Sequence, residues 1–229
     1  MAAPQRPSII CSVDVVLLTI AQGALQVALL ERSRDPFRGA LALPGGFIHP
    51  AEDEDTEAAA MRMLRDKAGI VSPYLEQLGT FSGRARDPRG WSLAVTYYAL
   101  VPHALLADSR AQVVLRPAAS LPSLPFDHSQ IVRGALERVQ SKSSYSSLPV
   151  YLCGDTFTLP ELQAVYEIVM GEPVNKVSFR RKMEELELLE AVPGALTQGK
   201  AHRPAQLYRL RAKFRKKLAL SDRALNAGS

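Results

Sequence analysis

One stretch of the chain decides its fold: Gly45–Ile70, which reads GGFIHPAEDEDTEAAAMRMLRDKAGI. Pro44 and the two glycines predict a turn, since glycine tolerates a positive φ and lets a backbone come close to a ligand. The acidic residues and alanines that follow predict a helix with carboxylates in its first turns. Gly69 stands where such a helix is expected to end. A glycine-rich turn therefore leads directly into one helix.

The outline of this stretch resembles the signature of the Nudix hydrolases, G-x5-E-x7-R-E-U-x-E-E-x-G-U, in which U is aliphatic. Counted back from Gly69 and Ile70, Arg62 falls on the signature arginine and Glu54 on its first glutamate. The glycine departs from the strict spacing, because Gly46 lies two residues further upstream. The resemblance implies an α/β fold, a Nudix-like α/β/α sandwich with a mixed sheet.

The metal ligands of that signature are replaced in this chain. In the family, the glutamate after the arginine and a later pair of glutamates hold a divalent metal beside a pyrophosphate. The residues at those positions are Met63, Asp66 and Lys67. Mg²⁺ prefers hard oxygen ligands, so a thioether and an ammonium oppose metal binding and Asp66 alone does not replace the glutamates. We therefore predict no catalytic residues, no metal site and no cofactor, in a chain that is not an enzyme.

The acidic run before the helix leaves two interpretations open. Its carboxylates, Glu52–Glu57, are hard ligands that could hold some metal without the signature glutamates. Alternatively, they form a solvated helix start in which Glu54 pairs with Arg62 two turns away.

Composition and length set the broader limits. A chain of 229 residues with 47% hydrophobic residues is long enough for two small domains. Cys11 and Cys153 are far apart and form no metal-ligand or disulfide pattern, so we expect a reduced, cytoplasmic setting. The most apolar run, Ile9–Ala21, is short and contains Asp14, and no signal peptide precedes it. The sequence therefore predicts neither secretion nor a membrane partner.

Positive charge is concentrated in the second half of the chain. The formal net charge is +5, yet residues 1–154 carry 15 lysines and arginines against 14 acids, a balance of +1. Residues 173–217 carry twelve bases against four acids, a balance of +8. A basic region beside a nearly neutral domain is what binding to nucleic-acid phosphates requires, although a solvated surface also explains many basic runs.

The first half of the chain, residues 1–125, is predicted to be a ligand-sensing domain. Alternating β-branched residues predict a hairpin of two strands, Ile9–Ile20 and Leu25–Glu31, and a further strand over Trp91–Val101. Two polar loops, Arg32–Gly39 and Gly83–Gly90, echo each other with the motifs R-x-D-P and R-D-P-R. Arginine in such loops suits bidentate recognition of phosphate, and aromatic residues nearby can stack on a base. The residues that we expect to bind a nucleotide diphosphate are Arg34, Asp35, Phe37, Gly45, Gly46, Phe47, Arg86, Asp87 and Arg89.

The second half, residues 126–229, begins with a predicted helix over Asp127–Gln140. Asp127 is its expected N-cap, and we expect His128 to be a surface or cap residue rather than a catalyst. Ser141–Ser147 is low in apolar residues and predicts a loop, and Leu148–Cys153 predicts a strand.

The remaining elements follow the order of a winged helix-turn-helix. They are a helix from Thr158 to Gly171, a helix over Asn175–Leu189 whose predicted apolar face includes Val177, a strand over Ala191–Leu196, a basic loop over Thr197–Pro204 and a strand over Ala205–Arg211. In such a domain the third helix enters the major groove and the loop forms the wing. The residues expected to bind DNA are Lys176, Ser178, Arg180, Arg181, Lys182, Lys200, His202 and Arg203. A small helical domain that binds other proteins is the alternative.

The chain as a whole resembles the Nudix-related transcriptional regulators of NAD metabolism, the NrtR family. The resemblance lies in RDPFRGALALPGGFIHPAEDEDTEAAAMRMLRDKAGI, in RDPRG, in FTLPELQAVYEIVMGEPVNKVSFRRKMEELELLE and in RPAQLYRL. It implies a homodimeric repressor that binds operator DNA near genes of NAD biosynthesis or salvage and releases it when ADP-ribose or a related nucleotide binds. Two other functions remain open: a metal-dependent ADP-ribose pyrophosphatase with a basic accessory domain, and a sensor that acts through protein partners.

Overall fold

The structure is a computed structural model that describes residues 9–107, 109, 112–196, 204–215, 218–220 and 225. Its first feature is the predicted hairpin, formed by β1 (Ile10–Ala21) and β2 (Ala24–Glu31). Gln22 and Gly23 join the two strands with φ of 54° and 73°, the pair of positive φ angles that a tight hairpin turn requires.

A mixed sheet is built around this hairpin. β6 (Ser92–Leu100) lies parallel to β1, and β5 (Tyr74–Gly83) pairs antiparallel with β6. The three shorter strands are β3 (Leu41–Ala42), β4 (Gly45–Phe47) and β7 (Val113–Pro117). The order is β3-β2-β1-β6-β5, with β4 paired to β1 and β7 to β2.

Both faces of the sheet are buried, because successive side chains of a strand point in opposite directions. Val15 and Leu17 pack beneath α1 (Thr56–Met63) and α2 (His103–Ala107). Val16 and Leu18 lie in a second core with α3 (His128–Tyr145) and the 3₁₀ turn Leu148–Leu152. This arrangement confirms the predicted α/β/α sandwich with a mixed sheet.

Helix α1 forms as the sequence predicts. Its N-cap is Asp55, whose carboxylate accepts a hydrogen bond of 2.8 Å from the amide of Ala58. The helix continues as one wider π turn over Leu64–Ala68 and ends at Gly69, whose φ is 68°.

A third core belongs to a winged helix. Its elements are α4 (Leu159–Met170), α5 (Lys176–Leu186), β8 (Leu189–Leu196) and β9 (Gln206–Leu210). The capping box at Thr158 and Glu161 and the left-handed stop at Gly171 agree with the prediction. The buried side chains that hold these elements together include Leu162, Tyr166, Phe179, Met183 and Leu188.

Two predicted elements between these cores are wrong. The predicted loop Ser141–Ser147 is mostly helical, since α3 continues to Tyr145. Its polar residues fit a helix because the hydroxyl of Ser143, which is fully buried, donates to the carbonyl oxygen of Val139 at 2.6 Å. Leu148–Leu152 forms a 3₁₀ turn instead of a strand. Pro149 lacks the amide that a strand ladder needs, and all five residues are buried.

Helix α3 also bears on the predicted division of the chain. Its apolar residues Ile131, Ala135 and Val139 pack into the core of the sheet formed by the first half. The boundary after Pro125 stays a prediction.

Within the described part, no helix is both long and apolar enough to cross a bilayer.

Candidate functional site

Gly45 and Gly46 allow the backbone of β4 to approach the neighbouring elements closely. Gly45 and Gly46 form β4, which pairs antiparallel with β1, and neither has a positive φ, so the predicted turn is wrong. A Cβ atom on Gly45 would overlap the carboxylate of Asp14, and one on Gly46 would lie 2.7 Å from the sulfur of Met63. The backbone of β4 therefore passes directly against β1 and α1, where any side chain would clash.

Lys67 and Met63 meet this strand from helix α1 and its π turn. The Lys67 ammonium donates a hydrogen bond to the carbonyl oxygen of Gly45, and the buried thioether of Met63 lies against Gly46. The position thus presents a positive charge and a soft sulfur atom, where Mg²⁺ requires hard oxygen ligands. Among the described residues, no group of three or more His, Cys, Asp or Glu side chains is arranged to hold a metal.

Arg62 is held by a different acid from the one that its spacing suggested. Its Nε and Nη2 each donate to the carboxylate of Asp53 at 2.6 Å, and Nη2 also reaches the carbonyl oxygen of Phe47 at 3.1 Å. Hydrogen bonding to Arg62 lowers the pKa of Asp53 to about 2. The expected pairing of Glu54 with Arg62 is wrong, because Glu54 is exposed while Asp53 faces inward.

Arg86 lies in a buried charged cluster rather than on the loop surface. Its Nε and Nη2 donate to the two carboxylate oxygens of Asp127 at 2.9 Å, and Nη1 donates to the hydroxyl of Ser92 at 3.2 Å. Nη2 is also 3.6 Å from Asp14, and the Arg86 side chain is only 8% exposed. The expectation that Arg86 faces a ligand is therefore wrong. Asp127 stands at the predicted N-cap position of α3, but its carboxylate accepts from Arg86 and makes no bond to the amides of the helix.

His128 closes this cluster at the first position of α3. Its Nδ1 accepts a hydrogen bond of 3.1 Å from the amide of Leu43, and its Nε2 is 3.8 Å from the carboxylate of Asp14. Burial lowers the pKa of His128 and raises that of Asp14. The prediction of a surface histidine is wrong, because this side chain is buried and holds the start of α3 against Leu43, in the segment between β3 and β4.

Above the cluster lies an exposed patch of aromatic and cationic groups. Phe37 is 44% exposed and packs edge to face on Phe126, with ring centroids 4.9 Å apart. The guanidinium of Arg32 lies 4.8 Å from the centre of the Phe126 ring. Both phenylalanines have a positive φ, 63° and 58°, which bulky residues rarely adopt and which concentrates at ligand-binding sites.

The second arginine loop also presents a guanidinium beside an exposed aromatic ring. Arg89 lies 5.3 Å from the centre of the Phe47 ring, and its guanidinium is fixed by the buried carboxylate of Asp87 at 2.7 and 3.0 Å. Arg34 and Asp35 are exposed on the first loop. Asp87 therefore positions Arg89, an exposed arginine whose orientation is fixed by a buried acid.

Sequence reasoning missed two members of this region. Asp14 had a signal, since a single acid inside the apolar run of β1 needs a buried partner. Phe126 had none, because its contact with Phe37 depends on a fold that brings residues 89 positions apart together.

The outward face of α5 is the second candidate site. The helix begins at Asn175, whose side-chain oxygen accepts from the amides of Val177 and Ser178 at 3.0 and 3.1 Å. The residues of α5 that are exposed in its first half and were expected to bind DNA are Lys176, Ser178, Arg180 and Arg181. The guanidinium of Arg181 is 3.4 Å from Glu185, one turn further along the exposed face.

Two expectations for α5 are wrong. Lys182 is 4% exposed and donates to the carbonyl oxygen of Ser144 at 2.6 Å, so it faces α3 and not a partner; burial lowers its pKa to about 8. Val177 was placed on the apolar face but is 76% exposed. Lys200, His202 and Arg203 lie outside the described residues.

The fold and these two sites define a two-part protein in which a Nudix domain carries a candidate ligand site and a winged helix carries a candidate nucleic-acid site. Family models agree with this class: a NUDIX domain matches residues 11–127, and an NrtR DNA-binding winged helix domain matches residues 149–210. The chain belongs to the NrtR family.

Two of the relatives that match along most of the chain are a transcriptional repressor and an NrtR protein bound to DNA. The ADPR responsive transcriptional repressor NtrR of Acinetobacter baylyi is 40% identical over 209 residues, which cover 89% of this chain and 82% of the repressor. A crystal structure of Shewanella oneidensis NrtR complexed with a 27mer DNA is 38% identical with a TM-score of 0.84, and the match covers 94% of this chain and 99% of that one.

Two further relatives match the Nudix region. The NUDIX domain of Shewanella oneidensis NrtR, crystallised with ADP ribose, is 40% identical with a TM-score of 0.52, and the match covers 58% of this chain and 89% of that one. An ADP-ribose pyrophosphatase of Methanocaldococcus jannaschii is 31% identical over 110 residues, which cover 47% of this chain and 64% of that enzyme.

Proposed function

We propose that this chain is an ADP-ribose-responsive transcriptional repressor that acts on genes of NAD biosynthesis or salvage. The observation that carries the proposal is the outward face of α5, where Lys176, Arg180 and Arg181 are exposed at the start of the helix. In a winged helix this is the part of the molecule that meets the major groove. The repressor of Acinetobacter baylyi and the DNA-bound NrtR of Shewanella oneidensis, which match most of the chain, support the proposal.

The DNA step begins with phosphate contacts and ends with base contacts. Positive side chains neutralise phosphates and fix the register of α5, and residues near its N-terminus read base edges. Lys200, His202 and Arg203 are proposed to grip the backbone from the wing. A homodimer, acting in the cytoplasm, would place two such helices on the half-sites of a palindrome.

The effector step uses the Nudix domain without a metal. ADP-ribose is proposed to lie between the patch of Phe37, Phe126 and Arg32 and the pair formed by Phe47 and Arg89. Its diphosphate would then lie near Arg89 and Lys67. The Lys67 ammonium, bonded to the carbonyl of Gly45, supplies positive charge to the diphosphate. An ammonium cannot activate a water molecule as a bound metal does, so the ligand is held and not hydrolysed.

Helix α3 is proposed to carry the signal between the two sites. At its start, Asp127 is tied to Arg86 and His128 to Leu43, directly below the patch. At its end, the carbonyl oxygen of Ser144 accepts from Lys182 of α5. A ligand changes DNA affinity only if it binds the two states of the dimer differently, and a rigid helix fixed at both ends is suited to turn a shift at the patch into reorientation of α5.

The test is binding to DNA from upstream of the chain's own gene, compared with random DNA at one fixed salt concentration, with and without ADP-ribose. We expect preferential binding that ADP-ribose abolishes. Arg89→Ala should retain the preference for the upstream DNA and weaken the response to ADP-ribose, whereas Arg84→Ala on the same loop should leave both unchanged. Binding that ignores ADP-ribose would overturn the effector step, and no preference for the upstream DNA would overturn the repressor.

A hydrolysis assay separates the repressor from the enzyme. ADP-ribose is incubated with the chain and Mg²⁺ or Mn²⁺, and release of AMP is measured. We expect no release above background. AMP production by the wild-type chain that requires the added Mg²⁺ or Mn²⁺ would favour a pyrophosphatase.

A further inference from the structure

One apolar side chain stands at the centre of the outward face of α5. Val177 is 76% exposed, whereas Phe179 and Met183 on the opposite face are 1% and 4% exposed. At 100° per residue, Val177 projects about 160° away from Phe179 and about 120° away from Met183, and Arg181 follows it one turn later on the same face. Of the exposed residues of α5, a helix described in full, Val177 alone has an apolar side chain.

Neither packing nor helix formation accounts for a valine at this position. The start of α5 is fixed by Asn175, which accepts from the backbone amides of Val177 and Ser178, so the cap does not depend on the valine side chain. A β-branched residue is a weaker helix former than most, and its exposure leaves apolar surface in water. Such a local conflict between residue and environment is typical of functional positions.

The major groove contains an apolar group that matches this side chain. Each thymine presents its C5 methyl there, and small apolar side chains recognise it by contact. We propose that Val177 contacts a thymine methyl group and so makes the chain select thymine at one position of each half-site. This inference rests on the proposed function, because it requires that α5 enters the major groove.

The test removes one methyl group from the DNA and the matching methyl groups from the protein. The probe is the tightest-binding duplex that the wild-type chain selects from a random pool, with each thymine replaced in turn by deoxyuridine. Replacement of one particular thymine in each half-site by deoxyuridine should weaken binding of the wild-type chain about three- to fivefold, as loss of a buried methyl group predicts. Val177→Ser should bind the thymine duplex more weakly and should no longer distinguish thymine from uracil at that position.

Val71→Ser is the matched control, since Val71 is 79% exposed and lies in the Nudix domain. It should retain the full penalty for uracil, and circular dichroism should show that both variants keep the helix content of the wild type. The inference is overturned if Val177→Ser loses as much affinity on the uracil duplex as the wild type does, or if the wild type itself loses none. Either outcome leaves the proposed repressor function standing. If the wild-type chain selects no sequence from the pool, the proposed function fails, and this inference fails with it.

Discussion

Helices α1 and α5 begin alike but use their charged residues in opposite ways. Each has a side-chain cap, from Asp55 in one case and Asn175 in the other. In α1 and its π turn, two of the three cations bind more distant groups of the chain itself: Arg62 binds Asp53, and Lys67 binds the carbonyl of Gly45. The third, Arg65, is exposed and pairs with its neighbour Asp66. In the first half of α5, most cations face solvent.

The difference shows that charge composition does not determine what a helix does. A cation with an acid or carbonyl partner inside the fold positions a loop, whereas an exposed one is available to a phosphate or a base. Lys182 makes the point within α5, because it belongs to the same basic run as Arg180 and Arg181 and yet is buried against Ser144. The predictions that follow test this division between inward and outward charges.

The largest effect should come from an inward arginine. Arg86→Ala removes the partner of the Asp127 carboxylate, which is 15% exposed, and leaves Asp14 without its nearest cation. Removing one member of a buried pair costs about 3 to 5 kcal/mol, so the free energy of unfolding measured in urea should fall by that amount. Arg84→Ala, on an exposed arginine two residues away, should change it by less than about 0.5 kcal/mol. Equal losses in the two variants would show that the Arg86 cluster does not stabilise the fold.

The next effect is a pH dependence that arises from Asp53. Its pKa is lowered from 3.8 to about 2 by the bond to Arg62, so the folded state binds fewer protons than the unfolded state between these values. The stabilisation is therefore fully present above pH 3.8 and is lost as the pH falls towards 2. Thermal unfolding of the wild type should show a steeper loss across this window than Asp53→Asn. Glu54→Gln should follow the wild type. If Glu54→Gln showed the same flattened profile as Asp53→Asn, the pH dependence could not be attributed to Asp53.

An outward arginine should affect DNA binding and leave stability nearly unchanged. If Arg181 reads a base, Arg181→Ala should weaken binding to operator DNA by about 1 to 3 kcal/mol, with a much smaller loss on random DNA. Its only ion pair in the described structure is an exposed one with Glu185, which contributes little to folding. Titration against both DNAs at one salt concentration measures the difference. An equal loss on both would make Arg181 a phosphate contact.

Much of the fold could be predicted from the sequence because its signals are local. The hairpin at Gln22 and Gly23, the stop of α1 at Gly69 and the capping box at Thr158 depend on residues a few positions apart. Local patterns failed where a distant group decides the outcome. Ser141–Tyr145 looks like a loop until Ser143 is seen to be buried, and the role of Asp127 depends on an arginine 41 positions away.

The candidate sites divide in the same way. Phe37, Phe47, Arg89 and the exposed half of α5 follow from residue type and spacing, since loops and helix starts are surface features. Arg86 and Lys182 could not be distinguished from their exposed neighbours, because each lies within a basic motif and only the packing of α3 turns it inward. Val177 shows the converse error. Periodicity assigned it to the core, but the angular position of Phe179 and Met183 leaves it on the outer face.

The smallest effect should come from Lys176, which is exposed at the first position of α5. As a point charge on a flexible stem it is better suited to a phosphate than to a base edge, so Lys176→Ala should weaken binding to operator and random DNA to a similar degree. Each phosphate contact contributes about 0.9 to the slope of log K against log salt concentration, so the slope should become shallower by about one unit. Lys142→Ala is the control, because that lysine is bonded to Glu76 at 2.5 Å and should leave the slope unchanged. A slope that stays at the wild-type value in Lys176→Ala would remove this residue from the DNA-binding face, and the division between inward and outward charges in α5 would then begin at Arg180.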